Sequence, residues 1–161
     1  MAEEMLDIVN EKDEVVGKKS RKEAHEKGLL HRVVHVVIEN AEGKVLCLKR
    51  SEKAEVRPGF ISNCAEHVKS GENLEDAAKR APEEELGTKI SPKFFGKIVL
   101  KDKNHNQIIE CFKGKSDGPF KIDLSELQSY EFKEIWLIKK EIHEGKKYSP
   151  AFTKVLGEIY G

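Results

Sequence analysis

The feature that most constrains the fold is a valine-rich run from His31 to Ile38, which has the composition of a buried β-strand. Turn residues occupy 40–43 after it, and a second stretch with apolar residues at most positions extends from Lys44 to Arg50. This order of strand, turn and strand predicts a central hairpin whose side chains lie in the core. The valine-rich run is far shorter than a bilayer span, so we expect no contact with a membrane.

Further strands and helices are predicted on both sides of this hairpin. Before it lie a hairpin over 5–17 and a short helix that Ser20 caps and Gly28 ends. After it we predict a strand over 61–65, a helix over 73–86 that Asn73 caps and Gly87 ends, and a hairpin of 94–100 with 107–112. A strand over 134–138 with Trp136 in the core follows, and Ser149 caps a closing helix from Pro150 to about Tyr160. Strands interleaved with a few helices indicate an α/β or α+β sandwich, and 161 residues fit a single domain.

Charge and cysteine content exclude several classes of protein. The 29 basic and 29 acidic residues cancel, which removes the electrostatic reason to expect nucleic acid as a partner. The sequence begins without the basic and then apolar pattern of a signal peptide, which favours a cytoplasmic protein. Three dispersed cysteines, Cys47, Cys64 and Cys111, fit neither a disulfide framework nor a thiol zinc site, so we interpret them as reduced core thiols.

Acidic residues concentrate at both ends of the helix predicted within residues 66–88. Carboxylates three or four positions apart share a helix face, and directing several of them at one point is costly unless a cation neutralises them. A divalent cation held there could neutralise a diphosphate and lower the pKa of a bound water, as phosphoanhydride hydrolysis requires. The alternative from spacing alone is a solvated acidic helix end.

The same segment resembles the signature box of the Nudix hydrolases, G-x5-E-x7-R-E-U-x-E-E-x-G-U. Matching positions are occupied by Glu72, Arg80, Glu84, Glu85 and Gly87. The resemblance covers most of the chain and fades after about Phe120. It implies one Nudix domain over 1–161, an α/β/α sandwich with a mixed β-sheet, in which 66–88 form the box.

The resemblance also implies a function and roles for the matching residues. It implies metal-dependent hydrolysis of a diphosphate linkage in a nucleoside diphosphate derivative or a related metabolite, with that small molecule as the partner. Glu84 and Glu85 would hold Mg²⁺ or Mn²⁺, Glu72 would orient a ligand or water, and Arg80 would fix the carboxylates. Glu85, Glu72 and Arg80 are therefore the predicted catalytic residues. The sequence leaves the oligomeric state open.

Three box positions depart from the family pattern: Glu66 replaces the first glycine, Ala81 a glutamate and Pro82 an aliphatic residue. In the family the missing glutamate is a metal ligand and often the general base, so we expect an impaired or altered catalytic site. Glu66 could substitute for it from a loop at the edge of the metal. Glu83 is a weaker alternative, because it points elsewhere on a regular helix. Pro82 should kink the helix or end it early. The alternative function is a non-catalytic Nudix-fold module that binds a nucleotide or a protein.

The hairpin and short helix within residues 1–30 resemble the isopentenyl-diphosphate-isomerase-like branch of this family. That isomerase uses a cysteine nucleophile, and the corresponding residue here is Ala65. Cys64 comes one residue earlier and should face the other side of its strand. Isomerase activity is therefore the least favoured of the three functions.

The resemblance to this branch also suggests a second metal site. His25, His31 and His67 match its three metal-binding histidines, with one residue fewer between the first two. Three neutral imidazoles directed at one point would bind a transition metal, and His105 could supply a fourth ligand. The alternative is that these histidines are separate solvated or paired side chains.

Overall fold

The computed structural model describes residues 3–101 and 106–161, which form one mixed β-sheet and four helices. The strands are β1 (Met5–Val9), β2 (Val15–Ser20), β3 (His31–Glu39), β4 (Val45–Arg50), β5 (Ile61–Ser62), β6 (Cys64–His67), β7 (Lys93–Lys101), β8 (Asn106–Lys115) and β9 (Leu127–Lys133). The helices are α1 (Arg21–Glu26), α2 (Leu74–Leu86), α3 (Ile135–His143) and α4 (Pro150–Tyr160). None of these four helices has the length and apolar character needed to span a membrane.

The valine-rich strand β3 is the centre of the sheet. It pairs in parallel with β8 along its whole length, from His31 opposite Gln107 to Glu39 opposite Lys115. It also pairs antiparallel with β6, while β7 extends the sheet antiparallel to β8. The sheet therefore contains both parallel and antiparallel pairs, which confirms the predicted α/β fold with a mixed sheet.

The predicted hairpin of β3 and β4 forms only next to its turn. The two strands pair at Glu39 with Val45 and then diverge. The reason is that β6 and β8 already occupy the two hydrogen-bonding edges of β3. Strand β4 instead pairs with β9 and β5.

The strand predicted over 61–65 is divided at Asn63. The first part, β5, pairs with β4, whereas the second part, β6, pairs with β3. The chain therefore changes partner strand at Asn63 and bridges the region where β3 and β4 have separated.

Helices cover both faces of the sheet and enclose two hydrophobic clusters. Alternate residues of β3 divide between them, because successive side chains of a strand point to opposite faces. The cluster beneath α2 includes Val34, Val36, Cys64, Ala77, Ala81 and Leu86. The cluster beneath α3 and α4 includes Val37, Cys47, Cys111, Ile138 and Phe152. All three cysteines are free and buried, which confirms their predicted role as core thiols.

Helix α2 has the predicted caps but does not end at Pro82. The side chain of Asn73 accepts a hydrogen bond from the backbone N–H of Asp76 at 2.8 Å, and Gly87 adopts a left-handed conformation with φ of 63°. Pro82 is buried in the helix, and its carbonyl accepts a hydrogen bond from the N–H of Thr88. The expectation of an early helix end was therefore wrong. Packing on the sheet and the glycine cap offset the lost backbone bond.

The strand predicted over 134–138 was also wrong, because this segment begins α3. The apolar residues Ile135, Ile138 and Ile142 recur at intervals of three and four, which is the spacing of a helix face. Ile138 is fully buried, whereas Trp136 is 62% exposed. The predicted core position of Trp136 was thus wrong as well, since the helix turns it away from the sheet.

The exposure of Trp136 can be measured directly, because it is the one tryptophan of the sequence. We expect solvent-like fluorescence emission and strong quenching by acrylamide in the native protein, with little change on unfolding. The double variant Trp136→Phe with Phe152→Trp provides the buried control, since Phe152 is fully buried. Blue-shifted emission that resists quenching in the native protein would contradict the exposed position.

Candidate active site

The guanidinium of Arg80 binds Glu72 through two hydrogen bonds. Nε donates to Oε2 of Glu72 at 2.9 Å and Nη2 donates to Oε1 at 3.0 Å. Nη2 also donates to the backbone carbonyl of His67 at 2.7 Å. Burial acts to raise the pKa of Glu72, but the hydrogen bonds from Arg80 and from the backbone N–H of Lys69, together with the positive charges of both residues, outweigh it and hold the pKa below its usual value. Arg80 therefore joins helix α2 to the preceding loop and to strand β6.

The same guanidinium lies close to two more carboxylates. Its Nη1 is 3.2 Å from Oε2 of Glu84 and 3.8 Å from Oε2 of Glu66. The side chains of Arg80 and Glu66 are 17% and 24% exposed, so solvent screens this pair weakly, whereas the side chain of Glu84 is 49% exposed. Arg80 thus partly neutralises an acidic region formed by α2, β6 and the loop between them.

Glu66, Glu84 and Glu85 form what we call the acidic cluster. Glu85 accepts a hydrogen bond from the backbone N–H of Ala65 at 3.2 Å. Burial, followed by the charge of Glu66, raises the pKa of Glu85 to about 8. Burial and the charge of Glu84 raise the pKa of Glu66 as well. Glu66 and Glu85 are thus partly buried carboxylates whose ionised forms are disfavoured. A divalent cation requires oxygen ligands, and it would supply the charge that compensates these carboxylates.

Of the three box positions that depart from the family pattern, two lie in the core and one lies in the acidic cluster. Ala81 is fully buried in the hydrophobic cluster beneath α2, and Pro82 is buried beside it in the same helix. Glu66 lies within strand β6 rather than in the loop where the sequence predicted it. Relative to the family box, this chain therefore lacks a carboxylate at position 81 and has an additional one at position 66.

His25, His31 and His67 converge on one point, and we call them the histidine cluster. Each offers a ring nitrogen, and these nitrogens all lie within 4.8 Å of one another. The Nε2 atoms of His25 and His67 are 3.0 Å apart. In the described ranges 3–101 and 106–161, this is the one group of three or more potential metal-binding side chains that close together. The fourth predicted ligand, His105, lies outside the described residues.

Two features prepare the histidine cluster for a metal ion. Nδ1 of His31 is 2.8 Å from the carbonyl of Leu29, so Nδ1 carries the proton and Nε2 is the lone-pair nitrogen. Burial, followed by the positive charge of Arg21, lowers the pKa of His67 to about 3. Neutral imidazole is the form that ligates transition metals.

The acidic and histidine clusters lie on opposite faces of β6. Glu66 pairs with Val34, whose side chain packs beneath α2, whereas His67 pairs with Val33 on the other face. Adjacent residues of a strand point to opposite faces, so the two clusters do not share one ion. Within the described residues, only the histidine cluster brings three potential ligands within 4.8 Å of one another, and the acidic cluster is separate from it.

A cavity of about 800 Å³, which we call the cleft cavity, reaches both sides of β6. Its lining includes the acidic cluster, His67 and Ala65. Four basic residues also line it, namely Arg21, Arg50, Lys53 and Arg57. Cys64 instead packs in the core beneath α2, on the face predicted for it. The cavity therefore combines acidic and basic side chains around one volume.

Sequence reasoning missed a buried polar pair in this cavity. Nδ1 of His35 lies 2.9 Å from Oδ1 of Asn63, and both residues line the cavity. The one available signal was an asparagine within an otherwise apolar strand pattern.

Comparison with known proteins places these observations in a wider context. The family model described as the NUDIX domain matches residues 29–153. Escherichia coli K12 YfcD, named an uncharacterized Nudix hydrolase, is 35% identical over 142 residues, which are 86% of this chain and 76% of that protein.

Two solved structures share the fold. The crystal structure of DR0079 from Deinococcus radiodurans has a TM-score of 0.83 at 23% identity and covers 98% of this chain and 100% of its own. The NUDIX domain of Shewanella oneidensis NrtR, solved with ADP ribose, has a TM-score of 0.63 at 11% identity and covers 80% of this chain and 84% of its own.

The contribution of Arg80 to stability follows from its hydrogen bonds. We expect Arg80→Lys to lower the free energy of unfolding by about 1–3 kcal/mol, because an ammonium group cannot reproduce the paired bonds to Glu72. Urea denaturation measures this change. The neighbouring exposed residue Lys79 provides the control, since Lys79→Ala should stay within about 0.5 kcal/mol of the original protein. Equal stability of Arg80→Lys and Lys79→Ala would contradict the role assigned to Arg80.

Proposed function

Since this chain belongs to the Nudix family, we propose that it is a metal-dependent hydrolase acting on a diphosphate linkage in a nucleoside diphosphate derivative or a related metabolite. The observation that carries this proposal is the arrangement around Arg80. One guanidinium holds Glu72, Glu84 and the edge of β6 beside a cavity large enough for a nucleotide-sized molecule.

The basic lining of the cleft cavity supports a diphosphate ligand. Arg50, Lys53 and Arg57 bring positive charge to the same volume as the acidic cluster. Guanidinium and ammonium groups bind phosphate oxygens through charge-assisted hydrogen bonds. A diphosphate bound with a divalent cation would therefore meet both signs of charge in complementary positions.

The acidic cluster is our candidate for the Mg²⁺ or Mn²⁺ site, with Glu84 and Glu85 as ligands and Glu66 beside them. When bound, such an ion polarises a phosphoryl oxygen and lowers the pKa of a water molecule. Glu85, whose carboxylate is oriented by the N–H of Ala65, is our candidate to accept the proton of the attacking water. Glu72 has both oxygens engaged by Arg80, so in this proposal it positions Arg80 and the loop.

Glu66 is our candidate replacement for the carboxylate missing at position 81. Its charge acts on Glu85 and it contacts Arg80, so it belongs to the same electrostatic group as the matching box residues. A carboxylate supplied from strand β6 would preserve the negative charge of the site while Ala81 contributes to the core.

Hydrolysis is tested with ADP-ribose and a panel of nucleoside diphosphates in Mg²⁺ or Mn²⁺. We expect turnover, and we expect Glu85→Gln to lower kcat by about 100-fold or more, because removal of a general base costs about that much. Glu83→Gln is the matched control, since Glu83 is an exposed neighbour in the same helix and its substitution should leave kcat unchanged. Equal rates for the two variants would contradict the role of Glu85.

The replacement role of Glu66 is tested in the same assay. Glu66→Gly should lower kcat, whereas Glu66→Asp, which keeps a carboxylate on β6, should lower it less. Thermal unfolding of each variant verifies that the fold persists. A Glu66→Gly protein with unchanged kcat would exclude the replacement role.

Two other functions give different results in this assay. A non-catalytic module would bind members of the panel without hydrolysing any of them. Isomerase chemistry is disfavoured because Ala65 lines the cavity at the position of the nucleophile, while Cys64 packs beneath α2.

The histidine cluster supports a second proposal, a transition-metal site formed by His25, His31 and His67. Three imidazole ligands with a fourth position open are typical of catalytic zinc sites. The spacing of the ring nitrogens and the bond from His31 to the carbonyl of Leu29 support this ligand set. Because His67 also lines the cleft cavity, an ion there would be accessible to a ligand.

Equilibrium dialysis with Zn²⁺ and with Mn²⁺ tests this site. We expect one histidine-dependent ion per chain, separate from any ion at the acidic cluster. Its affinity should fall about 10-fold or more in His25→Ala, because loss of a ligand should cost at least as much as loss of a residue that only supports one. His143→Ala is the control, since His143 is exposed in α3. Binding that is equally strong in both variants would exclude the histidine site.

A further inference from the structure

Asn63 places a buried amide where two parts of the sheet separate. β5 pairs with β4 and β6 pairs with β3, so the chain at Asn63 belongs to neither ladder. The side chain lines the cleft cavity although the residue is only 7% exposed. The change of partner strand therefore holds a polar group against the interior of the cavity.

Hydrogen bonding determines what this pair can offer a ligand. The amide oxygen of Asn63 can only accept, so Nδ1 of His35, at 2.9 Å, carries the proton. Burial lowers the pKa of His35 to about 4, so the ring is neutral near pH 7 and Nε2 is an acceptor. The amide nitrogen of Asn63, Nδ2, is buried and has no hydrogen-bond partner within the described part of the chain. The pair therefore retains one donor and one acceptor.

The lining around this pair differs from the rest of the cavity. His35 lies on the same face of the sheet as Val33 and Ala65, because it alternates with Val33 along β3 and pairs with Ala65 on β6, whereas Glu66 of the acidic cluster lies on the opposite face. Phosphate groups are drawn to the charged lining, which leaves the neutral part for the organic portion of a ligand.

The unpartnered amide makes this part of the cavity selective. A hydrocarbon group bound against Asn63 would leave the buried donor unsatisfied, and relative to a ligand that pairs with the donor this costs about one order of magnitude in affinity or more. A group with its own acceptor would satisfy the amide instead. Sites built to hydrogen-bond a ligand reject analogues that lack the partner group for this reason.

We propose that Asn63, together with His35, is the specificity-determining pair of this site, and that it selects diphosphates whose organic group carries neighbouring hydrogen-bond donors and acceptors over diphosphates with a hydrocarbon tail. Nδ2 of Asn63 donates to the ligand and Nε2 of His35 accepts from it. A nucleobase has the required groups, and an isoprenyl chain has none. The inference rests on the proposed function for the location of the diphosphate.

Isothermal titration calorimetry with four probes tests the pair: ADP, CDP, pyrophosphate and isopentenyl diphosphate, with Ca²⁺ as the cation to disfavour turnover. The unmodified protein should bind at least one nucleoside diphosphate about 10-fold or more tightly than isopentenyl diphosphate. Asn63→Leu should remove this preference while leaving the affinity for pyrophosphate unchanged. Ser62→Ala is the matched control, because Ser62 also lines the cavity but its hydroxyl donates to the carbonyl of Leu48.

Equal affinity for isopentenyl diphosphate and for both nucleotides in the unmodified protein would overturn the inference, even if the variant did not fold. A loss of affinity in Asn63→Leu that is the same for all four probes would also overturn it. Failure of the hydrolase proposal gives a distinct result. If binding is selective and depends on Asn63 but no substrate is hydrolysed, the hydrolase proposal is rejected and the specificity role of Asn63 and His35 stands. If substrates are hydrolysed but binding is not selective, the hydrolase proposal stands and the specificity role is rejected.

Discussion

The guanidinium of Arg80 is the interaction on which the acidic site depends. Several carboxylates cannot stay ionised close together without a compensating charge, and Arg80 supplies that charge within hydrogen-bond distance of Glu72 and Glu84. Its bond to the carbonyl of His67 also fixes β6 against α2. Because Glu66 and His67 are adjacent on β6, one side chain orients the strand that carries members of both candidate metal sites.

Strand pairing explains where the cavity lies. β3 has both edges occupied by β6 and β8, so β4 departs after a single pair and takes β5 and β9 as partners. The cleft cavity extends between these separated parts of the sheet, and its lining comes from both. Alternation along β6 then puts the acidic cluster on one face and His67 on the other. The position of each functional group thus follows from hydrogen bonds between strands distant in sequence.

Helices and strands were predictable from the sequence where interactions between residues close along the chain determine them. Ser20, Asn73 and Ser149 cap helices as predicted, because a cap requires only a side chain and a backbone N–H two or three residues later. The segment at Trp136 was assigned to a strand because a short run of Ile, Trp and Leu fits either period. Its helix depends on Ile138 packing in the core beneath α3 and α4, and that contact lies beyond any local window.

At the candidate site, too, some features follow from residues close along the chain and others from long-range strand pairing. The spacing of Arg80 and Glu84 was enough to anticipate their association, since the two residues are one turn apart on one helix, whereas the resemblance to the family box implied that Arg80 would hold carboxylates. The strand position of Glu66 and the buried pair of Asn63 and His35 were not accessible in this way. Both depend on which strands pair, and register between distant segments leaves little trace in the residues themselves.

By itself the sequence determined the order of most elements, their caps, the family pattern of the box and the residue types available for chemistry, because these depend on side chains close together along the chain. Only the tertiary structure decided that the acidic and histidine clusters lie on opposite faces of one strand, that Ala81 belongs to the core, and that an amide faces the cavity. Those facts depend on long-range strand pairing, in which a shift of one residue would turn every side chain to the other face.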